Sequence, residues 1–148
     1  MTSGGPFGGA SLDLELRRGA RYYLELAYTD ANGAAPDLTG YTARLDIRTR
    51  ADVAPTTPAA TPVLAFRTSP SAGQGTITIG GTVSVTLEDG STGTARLITL
   101  DAGADITAAL APTLGGAEHV YDLELVSGSS IVDVLVSGYA RVLPEVTR

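Results

Sequence analysis

The sequence predicts an all-β protein, a two-sheet antiparallel sandwich with one short helical turn near residues 105–110. The chain has 148 residues, 43% of them hydrophobic, which is enough for one domain with its own core. Apolar and polar residues alternate with a period of two along five segments, the pattern of strands with one buried face. These segments are residues 12–16, 22–28, 43–47, 83–87 and 121–125. Glycine-rich turns recur at intervals of about ten residues, as in sandwiches and barrels.

Two further segments lack this alternation. Residues 95–100 and 131–136 have apolar side chains at both odd-numbered and even-numbered positions. This pattern predicts central strands or strands covered on both faces. The pair Gly80-Gly81 lies between strand-like segments at 76–79 and 82–87. Because two glycines favour the tight turn of a hairpin, we expect a two-residue hairpin at this point.

Turn residues separate the remaining segments. Clusters of Asp, Asn, Ser and Gly predict reversals at residues 30–33, 88–91 and 128–130. The one helical segment is interpreted as a single turn in which Asp105 is the N-cap, and Pro112 follows soon after it.

The chain is expected to be one domain over residues 11–148, preceded by an arm. Residues 1–10 are rich in glycine and carry no charge, so we expect a flexible arm that orders only against a partner. The proline-rich segment 51–62 is interpreted as a solvated loop or as an arm that reaches a neighbouring subunit. The N-terminus lacks the pattern of a secretory signal, and a cytoplasmic site of synthesis is expected.

Composition excludes several classes of function. The chain has no cysteine and one histidine, His119, which rules out thiolate sites, multi-histidine metal sites and a two-histidine catalytic pair within one copy. His119 is predicted to be structural. Tyr23, a lone tyrosine on a polar strand face, is predicted to pair across strands. The net charge of −6 disfavours binding to a nucleic-acid backbone, and no membrane, cofactor or enzymatic activity is predicted.

Two sets of polar residues were weighed as sites. Asp122 and Glu124 share the outward face of one strand and are predicted to be solvent-facing acids, since a glycosidase needs carboxylates on both sides of a cleft. Asp30, Asn32 and Asp37 resemble part of a calcium loop. That loop pattern requires a closing glutamate, which the sequence lacks, so a plain turn is expected.

The arginines suggest an interaction surface. Residues 1–74 carry seven arginines and seven acids, whereas residues 75–148 carry three arginines and nine acids. This pattern fits either solvated faces or an arginine face on one copy that meets an acidic face on the next. The predicted contact segments are residues 1–10, 44–50 and 51–62. The predicted interaction residues are Arg44, Arg48, Arg50, Pro55, Pro58, Pro62 and Phe7.

Three local features have a structural interpretation. The turn at residues 37–40 would bury Leu38 and use the backbone freedom of Gly40. Tyr121 would place its ring in the core with its hydroxyl near the edge. Gly138, inside a strand, predicts a bulge or the close approach of another backbone.

Several segments, taken in order, are similar to a known family. They are DLTGY at residues 37–41, RLDIR at 44–48, YDLEL at 121–125 and VTR at 146–148. With them, the chain resembles the small β-sandwich domains of tailed-bacteriophage virion proteins, such as the N-terminal immunoglobulin-like domain of siphophage baseplate upper proteins.

This resemblance implies an immunoglobulin-like sandwich and an architectural role without catalytic residues. The expected function is that of a structural subunit in a baseplate, tail adaptor or collar, which assembles with its own copies and with other virion proteins. The expected location is the virion, assembled in the host cytoplasm. Because the chain ends near the end of such a domain, a host receptor is not favoured. The alternatives are a capsid decoration protein, a host-surface-binding module and, least favoured, a small hydrolase.

Overall fold

A computed structural model of the chain describes residues 4–5, 8–49, 62–110 and 119–144. These residues form ten strands and one five-residue helix, which confirms the predicted all-β class. In chain order the elements are β1 (Gly4–Gly5), β2 (Gly8–Ser11), β3 (Leu14–Arg17), β4 (Tyr22–Tyr28), β5 (Thr42–Arg48), β6 (Leu64–Arg67), β7 (Gly75–Thr86), β8 (Thr92–Ala102), α1 (Ala104–Ala108), β9 (His119–Val126) and β10 (Val132–Leu143).

The strands follow one continuous hydrogen-bonded path. Its order is β1-β2-β10-β9-β5-β6-β7-β8-β4, and β3 also pairs with β10. The prediction of a wholly antiparallel arrangement is wrong, because β2 and β3 run parallel to β10 and β6 runs parallel to β7. Alternation along a strand reports which face is buried and carries no information on the direction of its neighbours. The sheet is therefore mixed.

The core is formed by alternate residues of the central strands. Along β5, for example, Ala43, Leu45 and Ile47 are buried while the residues between them face outward. The most deeply buried large side chains are Leu16, Leu45, Ile47, Phe66, Ile77, Ile98, Leu100, Tyr121, Leu123 and Val142. Burial of one such side chain contributes about 1.5–3 kcal/mol, so these rows hold the sheet in its curled form.

The predicted hairpin at Gly80-Gly81 is wrong. Strand β7 continues through both glycines, and its register against β8 shifts from Ile79 opposite Ile98 to Thr82 opposite Arg96. Two residues of β7 thus stand against one of β8, which defines a bulge. A type I′ turn needs positive φ at both central residues, and neither glycine has it. The chain reverses instead at residues 87–91, where a reversal was predicted.

The helix is shorter and is capped differently from the prediction. Its N-cap is Gly103, which makes no side-chain capping bond, and Asp105 lies inside the first turn. The prediction that Asp105 is the N-cap is therefore wrong by two residues. Thr107 is fully buried, and its hydroxyl donates to the carbonyl of Ala20 at 2.8 Å. This bond ties α1 to the turn before β4, and Pro112 lies outside the described residues.

The two segments that are apolar on both parities have different surroundings. Residues 95–100 lie on β8, which is central between β7 and β4 as predicted. Within residues 131–136, Ile131 and Val132 are 61% and 45% exposed, and burial begins only at Val136. Strand β10 is central between β2 and β9, as one of the two predicted alternatives has it, but the first part of this segment is an exposed apolar hairpin end and is not covered on both faces.

The three local interpretations are confirmed. Leu38 is buried, and Gly40 has φ of +79°. The Tyr121 ring is buried, and its hydroxyl donates to the carbonyl of Leu12. A Cβ on Gly138 would lie 2.1 Å from the same Leu12 oxygen, so another backbone does approach this strand closely.

The predicted N-terminal arm is described only in part. Residues 4–5 and 8–11 lie on β1 and β2, and β2 pairs with β10 through Ala10 and Ser11. Residues 1–3 and 6–7 lie outside the described residues.

Candidate functional site

The main candidate surface is a charged face on the outward side of β5, β6 and β9. Its members alternate in sequence with the buried rows of β5 and β9, so both strands present them away from the core. The charged face consists of Arg44, Asp46 and Arg48 on β5, Arg67 on β6, and Asp122 and Glu124 on β9. Strand pairing places Arg44 directly opposite both Arg67 and Glu124.

Ion pairs within the chain order this face. The Nη2 atom of Arg44 lies 2.7 Å from Oε2 of Glu124, and Nε of the same arginine donates to that oxygen at 2.8 Å. Asp46 lies between two arginines, with Arg48 Nη2 3.0 Å from its Oδ2 and Arg67 Nη2 2.7 Å from its Oδ1. The Oδ1 atom is buried, and its contact with Arg67 is electrostatic, outside hydrogen-bond geometry. The guanidinium groups are therefore fixed in position.

Arg67 has a further anchoring role. Its Nη1 donates to the carbonyls of Phe66 and Leu45 at 2.9 and 3.3 Å. The same side chain binds backbone carbonyls on β5 and β6 and the carboxylate of Asp46 on β5. It therefore stabilises the pairing of β6 with β5. Arg67 carries no signal in the sequence, since all three preceding residues of β6 are buried and the strand shows no alternation that would mark an outward face.

Asp122 is the unusual carboxyl of the charged face. It stands directly opposite Asp46 in the strand register, with Glu124 two residues along its own strand. Burial raises the pKa of Asp122 to about 6, and the charges of Glu124 and Asp46 add to this effect. The prediction that Asp122 and Glu124 are solvent-facing acids is wrong, because both are half-buried.

The arrangement favours holding charge over reacting with a substrate. Asp46 and Glu124 are each engaged by arginine within 3.0 Å. A general base needs a free lone pair directed at a substrate proton, and these oxygens are directed at guanidinium groups. What the charged face offers chemically is a preorganised row of donors and acceptors for another polar surface.

The predicted interaction residues are only partly described. Arg44 and Arg48 lie together on the charged face, as their shared parity predicts. Pro62 is half-buried just before β6. Phe7, Arg50, Pro55 and Pro58 lie outside the described residues, as does all of loop 51–62 except its last residue.

A second ordered row lies on β4. The guanidinium of Arg21 binds Asp101 on β8 in a bidentate pair at 2.9 and 2.8 Å, and its Cζ lies 4.9 Å from the centre of the Tyr23 ring. The hydroxyl of Tyr23 donates to Oε1 of Glu25 at 3.1 Å. The pair with Arg21 lowers the pKa of Asp101. Tyr23 is 48% exposed and lies opposite Asp101 in the register, but the contacts of its ring and hydroxyl are with Arg21 and Glu25 on its own segment, unlike the cross-strand pair predicted.

The residues weighed as a calcium loop serve turns. Asp30 Oδ1 accepts the backbone N–H groups of Asn32 and Ala34 at 2.8 and 3.0 Å. Asp37 Oδ1 accepts both the N–H and the hydroxyl of Thr39, and these bonds lower the pKa of Asp37. Within the described ranges, no group of three or more His, Cys, Asp or Glu side chains is placed to hold a metal ion.

An open groove of about 770 Å³ lies beside the turn at residues 30–33. Residues 27–33 form one side, and residues 85–89 at the end of the β7–β8 hairpin form the other. His119, predicted to be structural, begins β9 opposite Ala140 and is half-buried.

Comparisons with known proteins identify no family. No family model and no curated protein matches the chain. A solved structure described as "Structure-based site-directed photo-crosslinking analyses of multimeric cell-adhesive interactions of VGSC beta subunits" is similar, with 10% sequence identity and a TM-score of 0.36 over 91% of this chain and 93% of that one. In the part of the chain that the structure describes, no helix is long and apolar enough to span a membrane.

Proposed function

We propose that the chain is a non-enzymatic structural subunit of a tailed-bacteriophage particle, placed in a baseplate, tail adaptor or collar. It acts by assembling with its own copies and by docking to other virion proteins. The observation that carries this proposal is the charged face, in which internal ion pairs hold arginines and carboxylates in one geometry. A rigid polar surface loses little conformational entropy on docking, so it is suited to permanent assembly.

The family segments support this proposal through their positions. RLDIR at 44–48 and YDLEL at 121–125 lie on the adjacent strands β5 and β9, with Arg44 opposite Glu124. These two segments supply five of the six side chains of the charged face. The residues behind the resemblance are thus also the residues that form the proposed docking surface.

We also propose that the curled sheet is an immunoglobulin-like two-sheet sandwich. In this arrangement β2, β3, β10, β9, β5 and β6 form one layer and β7, β8 and β4 form the other. Two observations support it. The pairing of β6 with β7 covers only two register positions, and the rings of Tyr22 on β4 and Phe66 on β6 meet edge to face at 6.4 Å.

Immunogold electron microscopy on particles from the source lysate tests the location. Label at the tail tip supports a baseplate subunit, and label at the neck supports a collar. Label over the capsid would replace the tail assignment with the decoration alternative. Absence of label from particles, with the protein present in the same lysate, would contradict the virion proposal and favour the surface-binding module.

Variants of the charged face test docking in the same particles. Arg44→Ala and Arg48→Ala on the charged face, combined with Arg50→Ala at the third predicted interaction arginine, are expected to reduce incorporation and to weaken its salt dependence, because they remove the donors offered to a partner. Loss of a partly exposed ion pair changes folding stability by about 1 kcal/mol or less, so the variant should still fold. Arg141→Ala, at an exposed position on β10, is the matched control. Incorporation of the triple variant at the wild-type level would contradict docking through this face.

A further inference from the structure

Strand β4 forms one end of the hydrogen-bonded path. Among the described strands, its partner is β8 alone. Its seven residues pair with β8 in an uninterrupted register from Tyr22 to Tyr28. At the opposite end of the path, β1 has two residues. The sheet therefore has one long terminal strand, and its outer backbone groups have no strand partner within the described ranges.

β4 lacks the features that usually protect such an edge. Natural proteins blunt edge strands with proline, bulges, short length or charges that point inward. The sequence YYLELAY contains no proline and no glycine, and its one charge, Glu25, lies on the outward face. A bare edge of this kind can accept another strand by backbone hydrogen bonding.

The inner row of β4 is incompletely covered. Tyr22, Leu24, Leu26 and Tyr28 face the core, yet all four are only half-buried. Rows on the central strands are buried almost completely, as with Leu45 and Leu123. The rim of the core along β4 thus leaves apolar surface that an added strand would remove from water.

We propose that β4 binds β4 of a second copy of this chain, antiparallel, about a two-fold axis at Tyr23. The outer row supplies the charge complementarity for this choice of partner. With the two Tyr23 residues opposed, Arg21 of each copy, which also binds Asp101 on its own β8, stands at the register position opposite Glu25 of the other copy. The row Arg21, Tyr23, Glu25 is therefore complementary to its own reversed copy.

The antiparallel register with full overlap and the same face inward fits less well. Overlap of all seven residues would place Glu25 directly opposite Glu25 of the second copy, and like charges in that position destabilise a strand pair. A shift of four residues along the antiparallel partner gives the arrangement centred on Tyr23, in which residues 21–25 of the two copies overlap. The half-exposed Tyr23 ring, already held by Arg21 and Glu25, then lies at the centre of the interface, where aromatic side chains contribute most.

This inference rests on the proposed function in one respect, since it names the surface for self-assembly. Its test uses the purified chain, so the two can fail separately. Particles that carry the protein, together with a purified chain that stays monomeric, would leave the virion proposal intact and overturn the pairing of β4.

Sedimentation equilibrium of the purified full chain measures the association. The wild type is expected to shift from monomer to dimer between about 1 µM and about 1 mM, the range of weak associations. Glu25→Arg and Arg21→Glu each oppose like charges across the axis, and each is expected to weaken dimerisation by about tenfold. An equal mixture of the two variants restores opposite charges at both contacts and should form the heterodimer.

Two controls separate this effect from damage to the fold. Glu15→Arg makes the same change at an exposed position on β3 and should dimerise like the wild type. Thermal unfolding at a concentration where the chain is monomeric checks that each variant folds. A chain that stays monomeric throughout the range, or swaps that leave dimerisation unchanged, would overturn the proposal.

Amide hydrogen exchange identifies the strand involved. On dimerisation, alternate amides within residues 21–25 should slow, because only those N–H groups face the second copy. If the amides of β4 already exchange slowly in the monomer on both sides of the strand, another segment of the same chain covers the edge and the proposal is wrong.

Discussion

Gly138 and Tyr121 act on a single carbonyl, that of Leu12. The hydroxyl of Tyr121 donates to this oxygen, and the absence of a side chain at Gly138 leaves room for it. The next residue, Asp13, accepts the N–H of Tyr139 at 3.1 Å. These contacts fix the short connection between β2 and β3 against β10, so individual residues decide how the N-terminal strands join the sheet.

Gly138→Ala is expected to lower the free energy of unfolding by about 2–4 kcal/mol, since the new methyl must displace backbone. The added Cβ would lie 2.1 Å from Leu12 O and 2.8 Å from its carbonyl carbon. Urea denaturation followed by circular dichroism measures the change. Gly81→Ala is the matched control, because nothing lies within 4 Å of a Cβ there. Equal free energies of unfolding for the two variants would show that the β2–β3 connection can move to accommodate the methyl group without loss of stability.

At the scale of elements, the pairing of β5 with β9 creates the charged face and places two of its carboxyl groups opposite each other. The same register that places Arg44 against Glu124 places Asp46 against Asp122. Arg48 and Arg67 neutralise Asp46, while Asp122 remains beside Glu124 and is half-buried. Folding therefore raises the pKa of Asp122 from 3.8 to about 6. The folded chain holds this proton more tightly than the unfolded chain does.

Asp122→Asn is expected to remove a pH dependence of stability. Because the folded pKa of Asp122 is raised, its proton stabilises the fold fully below pH 3.8, and this contribution is lost as the pH rises through about 6. At pH 7 the variant should be more stable than the wild type by about 1–2 kcal/mol, a figure reduced for solvent screening of a half-buried group. Below pH 4 the difference should disappear.

Chemical denaturation at a series of pH values measures this effect. Asp133→Asn, at an exposed position on β10, controls for the loss of one negative charge. A variant that follows the wild-type stability curve through pH 4–7 would show that Asp122 is well solvated in the folded protein.

At the scale of the whole molecule, closure of the curled sheet depends on the junction of β6 and β7. Only two register pairs join these strands, Phe66 with Gly75 and Arg67 with Thr76. Phe66 is fully buried, and a Cβ on Gly75 would lie 2.3 Å from its ring. The ring also contacts Tyr22 on β4, at the far end of the strand path. Packing, more than hydrogen bonding, joins the two halves here.

Phe66→Ala is expected to destabilise the protein by about 3–5 kcal/mol, since it removes a buried ring and leaves a cavity. Val83→Ala, at a position 37% exposed, should change stability by no more than about 0.5 kcal/mol. Thermal and urea unfolding of both variants give the comparison. A small effect at Phe66 would mean that the hydrogen-bonded pairs alone maintain the junction.

Particular residues mark where sequence analysis succeeded. The alternation of β4, β5 and β9 predicted their buried rows, because period two in the sequence is period two in the strand. Leu38, Gly40, Tyr121 and Gly138 were interpreted correctly, since each has a local chemical reason for its place. Arg44 and Arg48 were correctly placed on one face, because residues four apart in a strand point to the same side.

Other residues needed information from outside their own segment. Two adjacent glycines suit a bulge as well as a turn, and the register against β8 decided between them at Gly80-Gly81. Arg67 carried no periodic signal, and its role depends on β5 lying beside β6. Ile131 and Val132 begin a segment predicted to be central or covered on both faces; β10 is central, but these two residues lie at the exposed end of a hairpin.

The sequence by itself determined the all-β class, the reversals at residues 30–33, 88–91 and 128–130 and the parity of the buried rows, because these follow from backbone preferences and residue type within a few positions. The tertiary structure decided the direction of the strands, the mixed sheet, the pairing of Asp46 with Asp122 and the position of β4 at the end of the sheet. Those properties depend on contacts between residues distant in the chain, such as Tyr22 with Phe66. Alternation specifies the face that a strand buries, and only packing specifies its neighbour.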